Sequence, residues 1–122
     1  MGDVGKAADY SWVRLSPDGQ RLAVDIGDQH TGTTDIWLFD LTRGNASRFT
    51  SDPGVEWSPV WSPDNKRIAF TTNRGAPPFI HVKGLGDIGS GESLNQPSGW
   101  TQFVWDWVKT PAGEFIIYGE LF

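Results

Sequence analysis

The sequence predicts an all-β fold built from repeated four-stranded sheets, and three observations lead to this prediction. The 122 residues include 15 glycines and 8 prolines, which favours many tight turns. Apolar and polar residues alternate over several short stretches, which is the side-chain period of β-strands. One such stretch also recurs, together with its turn, at a regular interval along the chain.

The recurring unit reads as a strand, a turn and a second strand. LSPDGQRLAV recurs as WSPDNKRIAF and, more loosely, as KTPAGEFIIY, with turn prolines 46 and 48 residues apart. In this turn proline presets φ at the second position, and glycine or asparagine tolerates positive φ after the aspartate. A period of about 40–50 residues with four strands in each repeat is typical of β-propeller blades. The turn prolines are Pro17, Pro63 and Pro111.

The remaining strands complete the predicted blades. DIWLFDL, residues 35–41, is apolar on both faces, as expected for a sheet packed between two neighbours. A weaker counterpart is FIHVK, and a short fourth strand follows the first of these. We therefore predict that residues 1–122 form a partial β-propeller of two and a half to three blades of four antiparallel strands. Blade 1 covers about 11–50, blade 2 about 57–95, and a half or irregular blade 3 about 102–122.

A propeller ring typically contains four to eight blades, so two and a half blades cannot close one. The ring is then expected to be completed either by homo-oligomerisation, with two or three copies, or by other blades of a longer protein. If every copy supplies three inner strands, two copies give six blades and three copies give nine.

Composition and charge argue against several classes of partner. The net charge of −5 opposes binding to nucleic acid or to an anionic membrane surface. No apolar run approaches the roughly 20 residues of a membrane span, and the first ten residues lack a signal-peptide core. The absence of cysteine excludes disulfides and thiolate metal sites. We expect neither nucleic-acid binding nor membrane insertion.

No catalytic, cofactor-binding or metal-binding set is predicted, and the chain is not expected to be an enzyme. The two histidines, His30 and His81, fall in a predicted loop and in the middle of a predicted strand, and no G-x-S-x-G nucleophile elbow occurs. The run GLGDIG, residues 84–89, matches a dinucleotide-binding pattern. No helical period follows it, so a hairpin loop is the expected structure.

Tryptophan is the largest apolar component, with seven residues, and most of them are expected in the core. We expect Trp37 and Trp61 to pack between blades. Other tryptophans and several charges lie near the starts of predicted inner strands, and the resemblance of the repeat to a known propeller family implies that these starts form the rim of the channel. Aromatic platforms with a few charges suit protein or peptide binding, whereas simple solvation of the rim is the alternative. The predicted rim residues are Arg14, Glu56, Trp57, Arg74, Trp100, Trp105 and Asp106.

The motif WSPDNKRIAFTTN, with DIWLFDL and LSPDGQRLAV before it, resembles the TolB-like propeller repeat, a bacterial relative of the WD repeat. The resemblance covers roughly residues 11–118, although the third copy has TPAG in place of SPDG. The run DIWLFDLTRGNASRFTSDPG followed by PVWSPD is most similar to propeller regions of bacterial serine/threonine kinases and regulators.

That resemblance implies a scaffold in a bacterium, in the cytoplasm or, as in the Tol–Pal system, in the periplasm. The chain is expected to function as a non-catalytic protein-interaction or ligand-binding module. The alternative is the gating propeller of a prolyl-oligopeptidase-like peptidase, whose hydrolase domain would lie elsewhere.

Overall fold

The computed structural model describes residues 9–74, 77–89, 91–94 and 99–121, and within them the chain forms ten β-strands and no helix. The predicted all-β fold is confirmed. The strands are β1 Asp9–Leu15, β2 Arg21–Asp28, β3 Thr33–Asp40, β4 Ala46–Arg48, β5 Glu56–Trp61, β6 Arg67–Thr72, β7 Phe79–Gly84, β8 Glu92–Ser93, β9 Thr101–Thr110 and β10 Gly113–Leu121.

The strands form three antiparallel sheets in chain order. The first sheet has the order β1-β2-β3-β4 and the second the order β5-β6-β7-β8, whereas β9 and β10 form a two-stranded hairpin. Consecutive strands are hydrogen-bonded neighbours throughout, which is the meander of a propeller blade. The predicted four-stranded antiparallel blades are confirmed for the first two repeats.

The repeated turns join the first two strands of each complete sheet. In the first turn the Ser16 N–H donates to the Arg21 carbonyl at 2.8 Å, and in the second the Ser62 N–H donates to the Arg67 carbonyl at 2.8 Å. Asn65 occupies the position of a turn glycine with a φ of 64°. In the third hairpin Thr110 pairs with Gly113, so β9 and β10 run on into a two-residue turn.

Apolar side chains fill the two spaces between neighbouring sheets. Between the first and second sheets lie the buried residues Ala23, Ile36, Phe49, Trp61, Ile68 and Phe70. Between the second and third lie Val60, Ala69, Ile80, Val104 and Trp107. The first strands β1, β5 and β9 contact one another in that order. The sheets therefore stand side by side like blades, with their inner strands adjacent.

The expectation that most tryptophans are core residues is wrong. Among the described residues Trp61 and Trp107 are buried, whereas Trp12 is 54% and Trp105 is 62% exposed. Trp37 was expected between blades but is half-buried, and the Arg48 guanidinium lies 5.2 Å from its ring centroid. Trp37 lies on the face of the first sheet that points away from the second sheet. Its ring therefore stacks with the Arg48 guanidinium and does not pack against a neighbouring blade.

Candidate functional site

Each inner strand is interrupted at a corresponding place by a shift in register. The shift lies between Tyr10 and Val13 in β1 and between Trp57 and Val60 in β5. In the third sheet Trp105 has no partner opposite it in β10. Bulges re-aim side chains and frequently occur beside functional sites. Here the three irregularities lie side by side, because the three inner strands are adjacent.

A cavity of about 350 Å³ opens where these irregularities meet. Three inner strands and the end of β10 supply its walls, which are mainly apolar. The lining residues are Trp12, Arg14, Ser58, Pro59, Val60, Phe103, Val104, Trp105, Gly119, Glu120 and Leu121.

Two of the predicted rim residues, Arg14 and Trp105, line this cavity, and a third, Asp106, contacts Arg14. Arg14 donates from Nη1 to the Trp105 carbonyl at 3.0 Å and from Nη2 to Asp106 Oδ1 at 3.1 Å. Asp106 also accepts from the Trp107 backbone N–H at 2.8 Å. The guanidinium group therefore joins the first and third inner strands across the cavity.

A fully buried carboxylate holds two of the bulges in place. Asp25 accepts the backbone N–H groups of Ser11 at 3.1 Å, Trp12 at 2.9 Å and Ser58 at 3.1 Å. Ser58 has a φ of 58°, and its hydroxyl donates to the Val104 carbonyl at 2.9 Å. The Asp25 carboxylate is therefore a structural contact between the first and second sheets.

Glu56 and Arg74 were predicted at the rim, but they lie in a separate polar cluster between the first two sheets. Glu56 is fully buried and accepts from the Thr72 hydroxyl at 2.8 Å. Its burial raises the pKa of this carboxyl to about 6, because the charged form is desolvated. Arg74 donates from Nε to the Thr72 hydroxyl at 3.1 Å and pairs with Asp52 at 3.4 Å. Neither residue lines the cavity.

The two other predicted rim tryptophans also lie outside the cavity lining. Trp57 is half-buried and its ring centroid lies 6.2 Å from that of Phe103, which does line the cavity. Trp100 is 44% exposed and lies just before β9. Trp57 therefore supports the wall from behind, and Trp100 belongs to a different part of the surface.

Sequence reasoning missed Trp12 and Gly119 as parts of the site. A Cβ atom added to Gly119 would lie 2.5 Å from the Trp105 ring, so the ring packs directly on the glycine backbone. Trp12 precedes the first repeated turn by the same number of residues as Ser58 precedes the second. This shared spacing is the sequence signal that points to Trp12. Recognising it requires placing the bulges, which strand alternation alone does not do.

The described parts of the chain contain no group of three or more histidine or acidic side chains that could hold a metal ion. They also contain no helix long and apolar enough to cross a membrane. The polar and charged side chains in the cavity lining are those of Arg14, Ser58 and Glu120.

Comparison with known proteins bears on the fold. No family model matches the chain. The chain is 31% identical over 80 residues to the Tol-Pal system protein TolB of Helicobacter pylori, a match covering 66% of this chain and 19% of that protein. TolB of a second strain of this bacterium has the same identity and the same coverage. The chain therefore spans about a fifth of the length of these relatives. The crystal structure of TolB from Acinetobacter baumannii superposes with a TM-score of 0.74 at 25% identity, covering 91% of this chain and 26% of that one.

The fold is that of a TolB-like β-propeller. Two further structures share this propeller fold at lower identity. The apo isopeptidase AtxE2 gives a TM-score of 0.58 at 16% identity, covering 82% of this chain and 20% of that one. The β-propeller domain of the trilobed protease from Pyrococcus furiosus, which has an open velcro topology, gives a TM-score of 0.56 at 14% identity, covering 93% of this chain and 43% of that one. Similarity to kinase-associated propellers stays a prediction.

Proposed function

We propose that this TolB-like propeller segment is a non-catalytic interaction module and that its inner-strand cavity binds an extended peptide segment of a partner protein. The observation that carries the proposal is the apolar cavity of about 350 Å³ between the three irregular inner strands. Two exposed tryptophans, Trp12 and Trp105, stand in its walls. Such exposed aromatic residues are typical of protein-binding surfaces.

The cavity has the composition that peptide recognition needs. Its volume lies at the lower end of the range of ligand pockets, which is enough for one or two apolar side chains. Trp12, Phe103 and Trp105 offer contact area at a small cost in side-chain entropy. Arg14 and Glu120 lie at the same walls and supply the polar groups that orient a peptide backbone.

The positions of the potential catalytic groups support a role without catalysis. The Ser58 hydroxyl, the hydroxyl group of the cavity lining, donates to a backbone carbonyl. His30 lies in the β2–β3 loop, and His81 in β7 packs beside Phe70 and Phe79. A nucleophile and a base must lie within hydrogen-bond reach of each other, and neither histidine lines the cavity.

A second candidate function is supported by the structural comparison. Both the isopeptidase and the trilobed protease contain a propeller that superposes on this chain. In that case the segment gates access to a peptidase domain, and the gene would encode a neighbouring α/β segment with a nucleophile elbow. Sequencing the flanking reading frame distinguishes the two candidates. An α/β segment with a nucleophile elbow supports the gating propeller, whereas a kinase or DNA-binding region supports the interaction module.

The interaction module is proposed to act within a complete ring in a bacterium, in its cytoplasm or periplasm. The ring is completed by two or three copies of the chain or by further blades of a longer protein. Light scattering on a sizing column decides between these two ways of completing the ring. A stable mass of two or three times 13.5 kDa supports homo-oligomerisation, and a monomer over all concentrations contradicts it.

Selection of binders from a random peptide library tests the cavity. We expect selected peptides to bind the wild-type chain and to lose affinity at least tenfold on Trp105→Ala and Trp12→Ala. Ile88→Ala is the matched control, because Ile88 is a fully exposed apolar residue outside the cavity. Peptides that bind all three variants equally would contradict the proposed site.

A further inference from the structure

Main-chain carbonyl groups in the cavity wall already take part in contacts between the sheets. The Val104 carbonyl accepts from the Ser58 hydroxyl at 2.9 Å. The Trp105 carbonyl accepts from Arg14 Nη1 at 3.0 Å, and the Arg14 carbonyl accepts from Trp61 Nε1 at 3.0 Å. Each of these three carbonyl groups therefore has a donor within the wall itself.

The main-chain N–H groups at the irregular segments are also in use. The N–H of Trp12 donates to Asp25 Oδ1 at 2.9 Å, and the N–H of Ser58 donates to Asp25 Oδ2 at 3.1 Å. Pro59, the next residue of the lining, has no N–H group. A peptide that adds as a β-strand must pair with the main chain of its receptor. The cavity wall is poorly suited to strand addition, so recognition there depends on side chains.

The two exposed tryptophans of the cavity differ from the buried tryptophans in their indole N–H groups. Trp61 Nε1 donates to a main-chain carbonyl and Trp107 Nε1 to a carboxylate, both at 3.0 Å. Among the described residues, no acceptor lies opposite Nε1 of Trp12 or of Trp105. An indole N–H can only donate. Both tryptophans therefore offer a ligand a hydrogen-bond donor as well as a ring face.

The charged side chains of the lining add to this excess of donors. The Arg14 guanidinium has N–H groups beyond the two that contact Trp105 and Asp106, and its side chain is 42% exposed. The Glu120 carboxylate is an acceptor, and its Oε1 atom already accepts from Gln102 Nε2 at 3.1 Å. The cavity thus offers a ligand more hydrogen-bond donors than acceptors.

A proline-rich segment has the complementary chemistry. Each proline lacks a main-chain N–H but keeps its carbonyl, so the segment is rich in acceptors and poor in donors. In the polyproline II conformation these carbonyls make no internal hydrogen bonds and are free to accept. A segment without proline carries one main-chain donor for each acceptor, and this cavity has few acceptors for those donors.

The aromatic walls suit proline rings, which bind in aromatic-lined grooves. Trp12, Phe103 and Trp105 supply three ring systems in the lining. The Trp105 ring lies against the Gly119 backbone, since an added Cβ atom there would be 2.5 Å from it. The Trp57 ring lies behind Phe103, with 6.2 Å between the ring centroids. Polyproline II repeats every three residues, so prolines three residues apart share a face, about 9 Å from each other.

The charge of the chain indicates what should flank such a segment. The 122 residues carry a net charge of −5. Arg14, the basic residue of the cavity lining, is paired with Asp106 at 3.1 Å. Charge complementarity across an interface speeds association and suppresses wrong partners. It therefore favours lysine or arginine beside the prolines over aspartate or glutamate.

We propose that the cavity binds a proline-rich segment in the polyproline II conformation, with two prolines three residues apart against the aromatic walls and a basic flank. This inference rests on the proposed peptide binding in the cavity and specifies the ligand. The carbonyl groups of the segment accept from Arg14 and from the indole N–H groups of Trp12 and Trp105.

The test selects binders to the 122-residue chain from two phage-displayed libraries of lysine-flanked decapeptides. One library fixes proline at two positions three residues apart, and the other excludes proline. We expect the best peptides of the proline library to bind at least tenfold more tightly than the best proline-free peptides. Replacing both prolines of a selected peptide by alanine should weaken binding at least tenfold. Replacing its flanking lysines by glutamate should slow association at least threefold at low ionic strength.

Two conservative variants test the donors, because phenylalanine keeps an aromatic ring and removes the N–H group. We expect a selected proline peptide to bind at least threefold more weakly to Trp12→Phe and to Trp105→Phe, and to bind Ile88→Ala unchanged. Ile88 is exposed and lies outside the cavity lining. Unchanged affinity for both phenylalanine variants would overturn the proposal.

The libraries also separate failure of this inference from failure of the proposed function. If proline-free peptides bind as tightly as proline peptides and lose affinity on Trp105→Ala, the ligand class is wrong and peptide binding in the cavity stands. If peptides from neither library lose affinity on Trp105→Ala, both the ligand class and the proposed function are overturned.

Discussion

Arg14 in the first inner strand forms an ion pair of 3.1 Å with Asp106 in the third, 92 residues further along the chain. The same guanidinium group donates to the Trp105 carbonyl at 3.0 Å. Between these two strands lies β5 with its irregular segment at Ser58 and Pro59. The contact thus joins the first and third sheets across the cavity that we assign to peptide binding.

Replacing Arg14 by alanine should affect binding more than stability. Both members of the pair are about half exposed, and exposed ion pairs contribute about 0–1 kcal/mol. We expect Arg14→Ala to lower the free energy of unfolding by less than about 1 kcal/mol. The affinity for a peptide selected on the wild-type chain should fall at least threefold in calorimetry. A stability loss well above this with unchanged affinity would show that Arg14 is structural only.

Replacing Asp25 by alanine should affect stability more than binding. Its buried carboxylate accepts three backbone N–H groups from the first and second inner strands. Removing it leaves these donors unsatisfied, and we expect a loss of about 2–4 kcal/mol in urea unfolding. Asp28→Ala is the control, because Asp28 is exposed at the end of β2, and its cost should be much smaller than that of Asp25→Ala. Equal losses for the two variants would contradict the role of Asp25.

Glu56 should make stability depend on pH. Burial raises the pKa of its carboxyl from 4.5 to about 6, so the folded chain binds this proton more tightly than the unfolded chain. The contribution is fully present below pH 4.5 and is lost as the pH rises through 6. The loss amounts to about 2 kcal/mol. It is measured by urea unfolding of the wild-type chain and Glu56→Gln between pH 4 and 7.

The glutamine variant isolates the effect of Glu56. The difference in unfolding free energy between it and the wild-type chain should change by about 2 kcal/mol across this window. A Glu56→Gln difference that is constant with pH would disprove the assignment.

The strands and turns could be predicted from the sequence because they depend on local patterns. Pro17 and Pro63 mark turns whose geometry depends only on the residues around them, and alternation places Ile68 and Phe70 on one face. The irregularities of the inner strands could not be predicted in this way. They are held by contacts such as that of Asp25 with Ser58, which joins residues 33 positions apart.

The same limit applies to the residues predicted at the rim. Arg14, Trp105 and Asp106 lie together, because the Arg14 guanidinium contacts the Trp105 carbonyl and the Asp106 carboxylate. Glu56 and Arg74 were expected there on the basis of strand position, but they lie between sheets, because the first sheet covers them. Burial by a neighbouring blade is a property of the assembled fold, and charge pattern alone does not reveal it.

Adding a methyl group at Gly119 should disturb Trp105. The new Cβ atom would lie 2.5 Å from the ring, which must move away. We expect Gly119→Ala to shift the ¹⁹F resonance of Trp105 in the fluorotryptophan-labelled chain and to weaken peptide binding. Gly86→Ala is the matched control, since nothing lies within 4 Å of its added Cβ. An unchanged Trp105 resonance would contradict the packing described.

The most direct test of the interaction module is the dissociation constant of one library-selected peptide for three proteins: the wild-type chain, Trp105→Ala and Ile88→Ala. Trp105 is a wall of the cavity, whereas Ile88 is exposed in the loop after β7. We predict at least tenfold weaker binding to Trp105→Ala and unchanged binding to Ile88→Ala. Equal affinity for all three proteins would contradict peptide binding in the inner-strand cavity.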